Sequence, residues 1–390
     1  MKTIDNIIIW GDPIEEDAVR QIRDCAKTGV KAALMADHHV GYSMPIGGVV
    51  AYDNAVSPSG VGYDIGCGNK AVRLDIPADE VRKNISRIMD DIVRQISFGM
   101  GRNNNERVDH PLFDDPVWRL PALKSVRQKA QNQLGTVGGG NHYVDIFIDD
   151  LNRVWVGVHF GSRGLGHHTA TYYLKAGGGK DGMFVPPTVF KLGTSLGDDY
   201  MAAMEVAGKY AYAGRDWVCD KVASILKAHQ VESIHNHHNY AWREVHDGQE
   251  LIVVRKGATP AFPGQKGFVG GSMGDISVIL EGVESKESSA SLYSTVHGAG
   301  RVMSRRKAAG KYNRKLRRYE GGEVTREMMD DWVTKAGVTL RGGGLDESPH
   351  VYKRLPKVLK EHKSTIRILN TLTPIGVAMA GDDIFDPYKD

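Results

Sequence analysis

Five short motifs, four of them containing several glycines, carry the side chains of this sequence that could do chemistry. They hold Asp64 and Cys67 in VGYDIGCG, His142 in LGTVGGGNHY, His159 in HFGSRGLGH, His238 in HNHHNYA, and His297 in HGAGR. A mixed sulfur, oxygen and nitrogen donor set is formed by the Cys67 thiol, the Asp64 carboxylate and the imidazoles of His142, His159 and His238. Such a set suits Mn²⁺, Zn²⁺ or Fe²⁺ better than Ca²⁺ or Mg²⁺, and a thiolate can bridge two cations.

His297 closes an apolar and hydroxyl-rich run that predicts a strand, and Gly298, Ala299, Gly300 and Arg301 follow at once. Small residues there let phosphates approach backbone N–H groups, and Arg301 can hold phosphate oxygens with its guanidinium. From Arg301 to Arg318 there are nine Lys or Arg and no Asp or Glu, although the net charge of the whole chain is only +3. We interpret this segment as a basic helix whose natural partner is polyphosphate or nucleic acid.

Each motif also has a purely structural explanation. A single histidine in a glycine turn is more often structural than catalytic, and a basic helix is usually a solvated surface. Taken separately, each motif is explained as well by structure as by function. Five ligand-type residues in glycine-rich contexts, together with His297, are hard to explain as packing alone.

The composition describes a globular, enzyme-like chain rich in tight turns, with 390 residues, 41% hydrophobic content and 46 glycines. No stretch approaches the roughly 18 apolar residues of a membrane helix, and the N-terminal segment has acidic residues where a signal peptide needs an apolar core. We therefore expect a cytoplasmic protein. The odd number of cysteines argues against a disulfide framework, and the helical patterns around Cys25 and Cys219 place both in the core.

The pattern of apolar residues predicts strands and helices that would position these motifs. Strands are expected at 4–10, 31–37, 142–149 and 154–160. Helices are expected at 13–26, after an N-cap at Asp79, and at 116–133. Residues 198–229 are expected to form one long helix or a broken pair. The strands cluster rather than alternating regularly with helices, which indicates an α+β fold. We expect a single domain over 1–390, with AGGGKDG at 176–182 as the best internal loop or boundary.

Six motifs resemble those of the RtcB family of RNA-splicing ligases, in the order of the family. They are VGYDIGCG, LGTVGGGNHY, HFGSRGLGH, HHNYA, RKGATPAFPGQKG with the following GSMG, and HGAGRVMSR. The similarity extends from about DHHVGYSMPIGGV to LDESPHVYK, which is most of the chain. It implies a single large domain with mixed sheets around a central metal and nucleotide cleft.

The resemblance implies a GTP- and Mn²⁺-dependent RNA ligase of tRNA splicing or RNA repair. Such an enzyme joins RNA 3′-phosphate or 2′,3′-cyclic phosphate ends to 5′-hydroxyl ends through a GMP-histidine intermediate. It would be a monomer, with RNA and GTP as partners and an activating protein as a further one. Two alternatives stay open: a metal-dependent 2′,3′-cyclic phosphoesterase, and an RNA-binding protein that does not ligate.

The resemblance also assigns roles residue by residue. His297 would be the nucleophile that becomes linked to GMP. Cys67 would bridge two Mn²⁺ ions, with His159 and His238 on one ion and Asp64 and His142 on the other. The implied guanylate contacts are Asn141, His142, Asp145, His238, Asn239, Gly270, Gly271, Ser272, Met273, Ser277, His297, Gly298, Ala299, Gly300 and Tyr352.

Several positions depart from the family pattern. The family commonly has Phe, Glu and Pro where this chain has Tyr143, Asp145 and Gly270. It typically ends in a Lys-Gly pair that reaches the guanine nucleotide, whereas Met379 and Ala380 stand there in this sequence. These departures bear on nucleotide use, while the implied metal ligands and the nucleophile are all present.

Overall fold

The computed structural model describes residues 1–381 apart from residues 314 and 317. The α-helices of this part of the chain are α1 (Glu16–Ala26), α2 (Pro58–Val61), α3 (Ala78–Gln95), α4 (Pro121–Lys124), α5 (Arg127–Gln133), α6 (Arg163–Ala176), α7 (Ser195–Leu226), α8 (Lys286–Ala290), α9 (Arg305–Ala309), α10 (Arg326–Lys335) and α11 (Leu355–Glu361). Short 3₁₀ helices occupy Pro111–Asp114, Pro116–Arg119, Leu345–Glu347 and Pro349–Val351.

The strands in the first part of the chain are β1 (Lys2–Ile4), β2 (Ile7–Ile9), β3 (Lys31–His39), β4 (Ile46–Tyr52), β5 (Ala55–Val56), β6 (Gly68–Pro77), β7 (Tyr143–Asp149), β8 (Arg153–Phe160), β9 (Phe190–Lys191) and β10 (Gln230–His237). Those that follow are β11 (Asn239–His246), β12 (Gln249–Lys256), β13 (Ala258–Pro260), β14 (Lys266–Val269), β15 (Ser277–Gly282), β16 (Ser294–Val296), β17 (Gly310–Asn313), β18 (Arg318–Gly321), β19 (Thr339–Arg341) and β20 (Ile366–Met379).

Two large sheets organise the molecule. The six-stranded sheet has the order β1-β2-β3-β4-β12-β11, and the eight-stranded sheet has the order β10-β6-β8-β7-β20-β15-β14 with β19 beside β20. Pairing within them is antiparallel except between β2 and β3 and between β19 and β20. Three two-stranded sheets accompany them, and one of these pairs β13 with β16. The fold is therefore α+β, as predicted.

The predicted ligands follow or precede strand ends at one edge of the eight-stranded sheet. β6 begins directly after Cys67, β7 begins directly after His142, and His159 is the second-last residue of β8. His238 stands alone between the end of β10 and the start of β11, where the chain passes from the eight-stranded sheet to the six-stranded one. The site is thus built where edges of the two sheets meet.

Several sequence predictions are confirmed. The strands at 31–37, 142–149 and 154–160 correspond to β3, β7 and β8, and α7 is one continuous helix of 32 residues. Cys25 and Cys219 are both fully buried, and residues 177–182 form a loop after α6. Within the described residues, no helix combines the length and apolar composition that crossing a bilayer requires.

The helix predicted over 116–133 is wrong, because the segment divides into a 3₁₀ turn, α4 and α5. Leu120 is extended, with a ψ of 138°, and it precedes Pro121. Proline disfavours a helical conformation in the residue before it and lacks the N–H that would continue the ladder. The break follows from this pair.

Two further predictions need correction. Asp79 does not cap α3, since the helix begins at Ala78 after Pro77; Asp79 lies in the first turn, where its charge favours the helix dipole. The basic segment is not one helix, because α9 ends at Ala309 and Gly310, with a φ of 85°, begins a hairpin of β17 and β18. A side chain at position 310 would overlap the carbonyl of Glu320, so glycine allows the close approach of the two strands.

A buried arginine of α7 holds the strands that carry the ligands. Arg215 is fully buried, and its guanidinium donates to the carbonyl oxygens of Gly66 and Phe160. Its Nε also donates to Nε2 of His235 at 2.8 Å. Gly66 precedes Cys67 and Phe160 follows His159, so one side chain fixes the backbone beside both residues.

We expect Arg215→Met to lower the free energy of unfolding by about 3 kcal/mol, because it leaves buried acceptors without their donor. The measurement is the urea denaturation midpoint of the metal-free protein. Arg243→Met is the matched control, since the Arg243 side chain is 55% exposed and its ion pair with Glu250, at 3.5 Å, lies on the surface. Equal midpoints for the two variants would contradict this account of Arg215.

Candidate metal and nucleotide site

Three buried donors converge at the edge of the eight-stranded sheet. Ligand atoms of Cys67, His142 and His159 all lie within 4.8 Å of one another. The Cys67 Sγ is 3.2 Å from Nε2 of His159 and 3.8 Å from Nε2 of His142. These residues come from three different strand ends, and the antiparallel pairing of β6, β8 and β7 brings them together.

Asp64 and His238 complete the predicted group from two sides. An oxygen of Asp64 lies 3.0 Å from Nε2 of His142. The ring of His238 packs edge-on to His159, with 5.0 Å between centroids, and its backbone N–H donates to the carbonyl of Cys67 at 2.8 Å. The structure therefore brings Cys67, His142 and His159 together as one donor group, with Asp64 beside His142 and His238 beside His159.

Burial sets the protonation of these groups in the absence of a cation. It lowers the pKa of His159 and of His238 well below the usual range, helped by the charges of neighbouring histidines, so both rings stay neutral. Burial and the Asp64 carboxylate raise the pKa of the Cys67 thiol well above its ordinary value. Burial acts to raise the pKa of Asp64, but the hydrogen bond and charge of His142 outweigh it and lower the pKa to about 2.

The donor set fits a divalent transition metal. The neutral imidazoles of His159 and His238 offer free lone pairs, the Asp64 carboxylate is ionised, and a cation is the partner that would release the proton of Cys67. The Nδ1 atom of His238 is buried and has no hydrogen-bond partner in the described part of the chain, so a ligand role would also satisfy a costly buried nitrogen.

His297 is oriented by a fully buried carboxylate. One oxygen of Asp37 accepts from Nδ1 of His297 at 2.6 Å and from its backbone N–H at 3.0 Å. The same oxygen accepts from the backbone N–H of Gly298 at 3.3 Å. Burial acts to raise the pKa of Asp37, but the charge and hydrogen bonds of His297 outweigh it, so the pKa is lowered and the carboxyl stays ionised. In the neutral tautomer, donation from Nδ1 to Asp37 leaves the lone pair of the His297 ring on Nε2.

An irregularity in β3 aims Asp37 at this histidine. The register of β3 against β4 shifts between Leu34 and His39, so Asp37 lies in a bulge. The ammonium of Lys353 donates to the carbonyls of Ala36 and His38, at 3.0 and 3.2 Å, and so satisfies both sides of the bulge.

His297 lies beside the donor group of Cys67, His142 and His159 rather than within it. Its ring centroid is 4.8 Å from that of His238, and the residue directly follows β16. Gly300 has a φ of 77°, and a side chain there would overlap the carbonyl of Asp37. The turn after His297 therefore needs glycine to pack against the bulge of β3.

The predicted nucleotide contacts surround the same edge. Asn239 accepts from the N–H of Gly257 at 2.7 Å and donates to the carbonyl of Asp64 at 3.3 Å, so its amide holds two loops. The N–H of Gly271 donates to the hydroxyl of Ser277 at 3.0 Å, which closes the segment between β14 and β15.

The other predicted contacts occupy three places. Asn141 lies in the loop before β7, and Asp145 is buried within β7 with Oδ1 unpartnered among the described residues. Gly270, Ser272 and Met273 lie between β14 and β15, where Met273 packs into an apolar cluster with Met379. Ala299 is buried after His297, and Tyr352 forms an isolated bridge with Arg301.

Arg301 is already engaged by protein groups. Its guanidinium donates to the Tyr352 hydroxyl at 3.2 Å and to the carbonyl of Asp346 at 2.8 Å, and it pairs with Glu347 at 3.5 Å. It also lies over the Tyr352 ring at 5.2 Å. Arg301 therefore fixes the segment that carries Tyr352. Its guanidinium is not free to bind phosphate oxygens in the way that the sequence had suggested.

Sequence reasoning missed Asp37 and Lys353 as members of the site. Asp37 ends a predicted strand and precedes two histidines, a signal that could have marked it. Nothing in the sequence around Lys353 indicated that it reaches β3, which is more than 300 positions earlier in the chain.

Comparison with known proteins agrees with this architecture. The sequence model of the family described as "tRNA-splicing ligase RtcB" matches residues 19–119 and 114–380. The chain is 30% identical over 404 residues to the RNA-splicing ligase RtcB of Escherichia coli K12, covering 94% of each chain. It is 30% identical over 426 residues to the tRNA-splicing ligase RtcB of Thermococcus kodakarensis, covering 88% of this chain and 86% of that one.

A further relative, the tRNA-splicing ligase RtcB of Archaeoglobus fulgidus, is 31% identical over 453 residues, covering 94% of this chain and 91% of its own. Proteins named as RNA-splicing or tRNA-splicing ligases are thus similar along nearly the whole chain. The chain belongs to the RtcB family.

We expect Cys67→Ala to weaken binding of Mn²⁺ by about 100-fold, because it removes the sulfur at the centre of the donor group. Metal content after dialysis and a Mn²⁺ titration followed by calorimetry measure the effect. Cys25→Ala is the control, since Cys25 is also buried but its thiol donates to the carbonyl of Ser43, outside the donor group. Unchanged affinity in Cys67→Ala would place the metal elsewhere.

Proposed function

We propose that this protein is a GTP- and Mn²⁺-dependent RNA ligase that joins 3′-phosphate or 2′,3′-cyclic phosphate ends to 5′-hydroxyl ends through a GMP-histidine intermediate. The observation that carries the proposal is His297, whose Nδ1 is held 2.6 Å from buried Asp37 while its ring lies 4.8 Å from that of His238 in the donor group. The printed names of its relatives support an RNA substrate.

A 3′-phosphate monoester needs activation before a hydroxyl can attack it, because it is a dianion without a good leaving group. A nucleotidyl transfer solves this problem. Nε2 of His297 attacks the α-phosphorus of GTP, a phosphorus–nitrogen bond forms, and pyrophosphate leaves. The guanylyl group then passes to the RNA 3′-phosphate, and the 5′-hydroxyl attacks that phosphorus and releases GMP.

Asp37 prepares His297 for the first step. It holds the Nδ1 proton, so the lone pair is on Nε2, and its charge stabilises the positive charge that develops on the ring during attack. The two backbone N–H groups that donate to the same carboxylate oxygen prevent the ring and the turn from rotating away.

The residues divide into two overlapping metal sites. Cys67 with His159 and His238 would hold one Mn²⁺ ion, and Cys67 with Asp64 and His142 the other. Such ions, when bound, neutralise the charge on phosphate oxygens and activate water for opening a cyclic end.

The segment after His297 is a reasonable path for the RNA backbone. Helix α9 is followed by the hairpin of β17 and β18, and Arg306, Lys307, Lys311 and Lys315 are exposed there. Arg305 connects this surface to the cleft, because it pairs with Asp346 at 2.7 Å and lies against Gly140, next to Asn141. Binding along this path would be salt-sensitive.

The cyclic phosphoesterase is the second candidate, since the same donor group could open a cyclic phosphate without His297. An RNA-binding protein without catalysis is the third. The buried carboxylate that orients His297 favours the ligase, because neither alternative needs an imidazole with a prepared lone pair. The proposal includes a cytoplasmic monomer acting in tRNA splicing or RNA repair, with an activating protein as a further partner.

We expect the wild-type protein to become labelled when incubated with Mn²⁺ and GTP labelled at the α-phosphorus, and His297→Ala to stay unlabelled. The label should survive denaturation and be acid-labile, as a phosphoramidate is. His229→Ala, which removes an exposed histidine, is the matched control and should label normally. ATP is run in parallel to test the nucleotide preference.

The same variants separate ligase from phosphoesterase. His297→Ala should lose joining completely while it still opens 2′,3′-cyclic ends. Absence of label on wild-type protein that holds its metal, with either nucleotide, would move the assignment to the phosphoesterase.

We expect Asp37→Asn to slow labelling by about 100-fold, because it removes the charge that orients and stabilises His297. Single-turnover labelling at saturating GTP measures this rate. Metal content should match the wild type, and Asp109→Asn, at a side chain that is 85% exposed, should label at the normal rate. A normal rate in Asp37→Asn would show that the contact between Asp37 and His297 is structural only.

A further inference from the structure

The guanidinium of Arg215, which holds the backbone beside the donor group, is itself held by side chains of β10. Its Nη1 donates to the carbonyl of Gly66 at 3.0 Å and to that of Phe160. Its Nη2 lies 3.0 Å from Nδ1 of His237, which also faces the carbonyl of Gly66 at 2.9 Å. Its Nε donates to Nε2 of His235 at 2.8 Å. His235 therefore holds the guanidinium at a different nitrogen from the one that bonds both carbonyls.

The neighbours of His235 determine which of its ring nitrogens carries the proton. An arginine N–H only donates, so Nε2 of His235 must accept from Arg215 and must carry no proton. Burial lowers the pKa of His235 to about 3, although a hydrogen bond with Asp216 partly offsets this, so the ring is neutral. The proton of the ring is then on Nδ1, which lies 3.3 Å from an oxygen of Asp216. Asp216 is thus the acceptor that keeps Nε2 available to Arg215.

Asp216 is oriented in turn by Lys70. The ammonium of Lys70 donates to an oxygen of Asp216 at 2.5 Å, and Lys70 stands directly opposite His235 in the pairing of β6 with β10. Burial acts to raise the pKa of Asp216, but the hydrogen bonds of His235 and Lys70 outweigh it, so the pKa is lowered and the carboxylate stays ionised. The ring of Tyr212 packs edge-on to His235, with 4.1 Å between centroids, and restricts rotation of the imidazole.

We propose that His235 and Asp216 are positioning residues for the metal donors. Asp216 keeps the proton of His235 on Nδ1, and Nε2 of His235 then holds Arg215. Arg215 in turn fixes the backbone beside Cys67 and His159. The inference rests on the proposed function, because it concerns the affinity of the donor group for Mn²⁺. Neither residue touches the metal, and both act through the spacing of the two chain segments that carry ligands.

Asp216→Asn tests the tautomer with almost no change of shape. The ammonium of Lys70 only donates, so it keeps the amide oxygen of the asparagine, and the amide NH₂ then faces Nδ1 of His235. A donor at that position favours the proton on Nε2, which places an N–H of His235 against an N–H of Arg215. We expect Mn²⁺ to bind about 10-fold more weakly, measured by calorimetric titration of the full chain.

His235→Gln tests the mechanism, because an amide has no tautomer to lose. Its oxygen can accept from Arg215, so we expect near-normal Mn²⁺ affinity, whereas His235→Leu removes the acceptor and should weaken binding about 10-fold. In the His235→Gln background, Asp216→Asn should change the affinity little. Equal weakening by Asp216→Asn in both backgrounds would show that Asp216 does not act through the imidazole and would overturn the proposal.

A spectrum of the bound metal gives a readout that does not depend on RNA joining. Co²⁺ is titrated in place of Mn²⁺, and the sulfur-to-cobalt charge-transfer band reports whether Cys67 is bonded to the ion. The band should be weaker in Asp216→Asn at saturating Co²⁺ and normal in His235→Gln. Asp220→Asn is the matched control, since Asp220 is an exposed residue of the same helix that accepts from Gln230, and it should give the normal band and affinity.

The outcomes separate this inference from the proposed function. If the wild-type chain binds Mn²⁺ and Asp216→Asn binds it equally well, the positioning role is refuted while the metal site stands. If the variants differ as expected but the wild-type chain is not labelled by GTP, the positioning role stands and the ligase proposal fails. If the wild-type chain binds no Mn²⁺, both fail together.

Discussion

The buried guanidinium of Arg215 holds the two chain segments that carry Cys67 and His159 at a fixed distance. Arg215 donates to the carbonyls of Gly66 and Phe160, the neighbours of Cys67 and His159, from a helix that packs behind the sheet. Burial lowers the pKa of Arg215, and the nearby Cys67 and Asp64 partly restore it. Its positive charge also opposes the effect of burial on the Cys67 thiol. The same side chain therefore sets both the spacing and the electrostatic potential of the donor group.

The division of labour between the sheets follows from this arrangement. The donors Cys67, His142 and His159 belong to strand ends of the eight-stranded sheet, whereas Asp37, which orients His297, belongs to the six-stranded one. His238 lies where the chain crosses between them and contacts both His159 and His297. A nucleotide bound across this seam would meet donors from the eight-stranded sheet on one side and, on the other, His297, which follows β16 and contacts Asp37 of the six-stranded sheet. Chemistry at such a site depends on the rigid docking of the two sheets.

The sequence predicted the fold class, the main strands and the groups that converge, because glycine motifs at strand ends are local signals. It did not predict the role of Asp37, because a β-bulge is created by pairing with another strand and leaves no local pattern. The same holds for Lys353, whose ammonium reaches carbonyls on β3 that only the folded chain brings near. The prediction that the basic segment forms one helix was wrong for a related reason. Charge density correctly indicates exposed side chains at Arg306, Lys307, Lys311 and Lys315, but Gly310 ends the helix and begins a hairpin. The assignment of individual metal and nucleotide contacts remains a prediction, supported by convergence and by donor chemistry.

The carboxyl of Asp145 on β7, whose Oδ1 has no partner among the described residues, connects the fold to the proposed nucleotide. Burial raises the pKa of Asp145 well above its usual range, and the backbone N–H of Ala378 offsets this only in part. A ligand that presents N–H groups, as the edge of guanine does, would favour the ionised carboxylate and recover part of the cost of burying it. Under the proposed function, such a contact would offset part of the cost of burying Asp145 and so add to nucleotide affinity. Under that proposal, Asp145 meets the base from within a strand of the eight-stranded sheet, so its position is fixed by the sheet before the nucleotide binds.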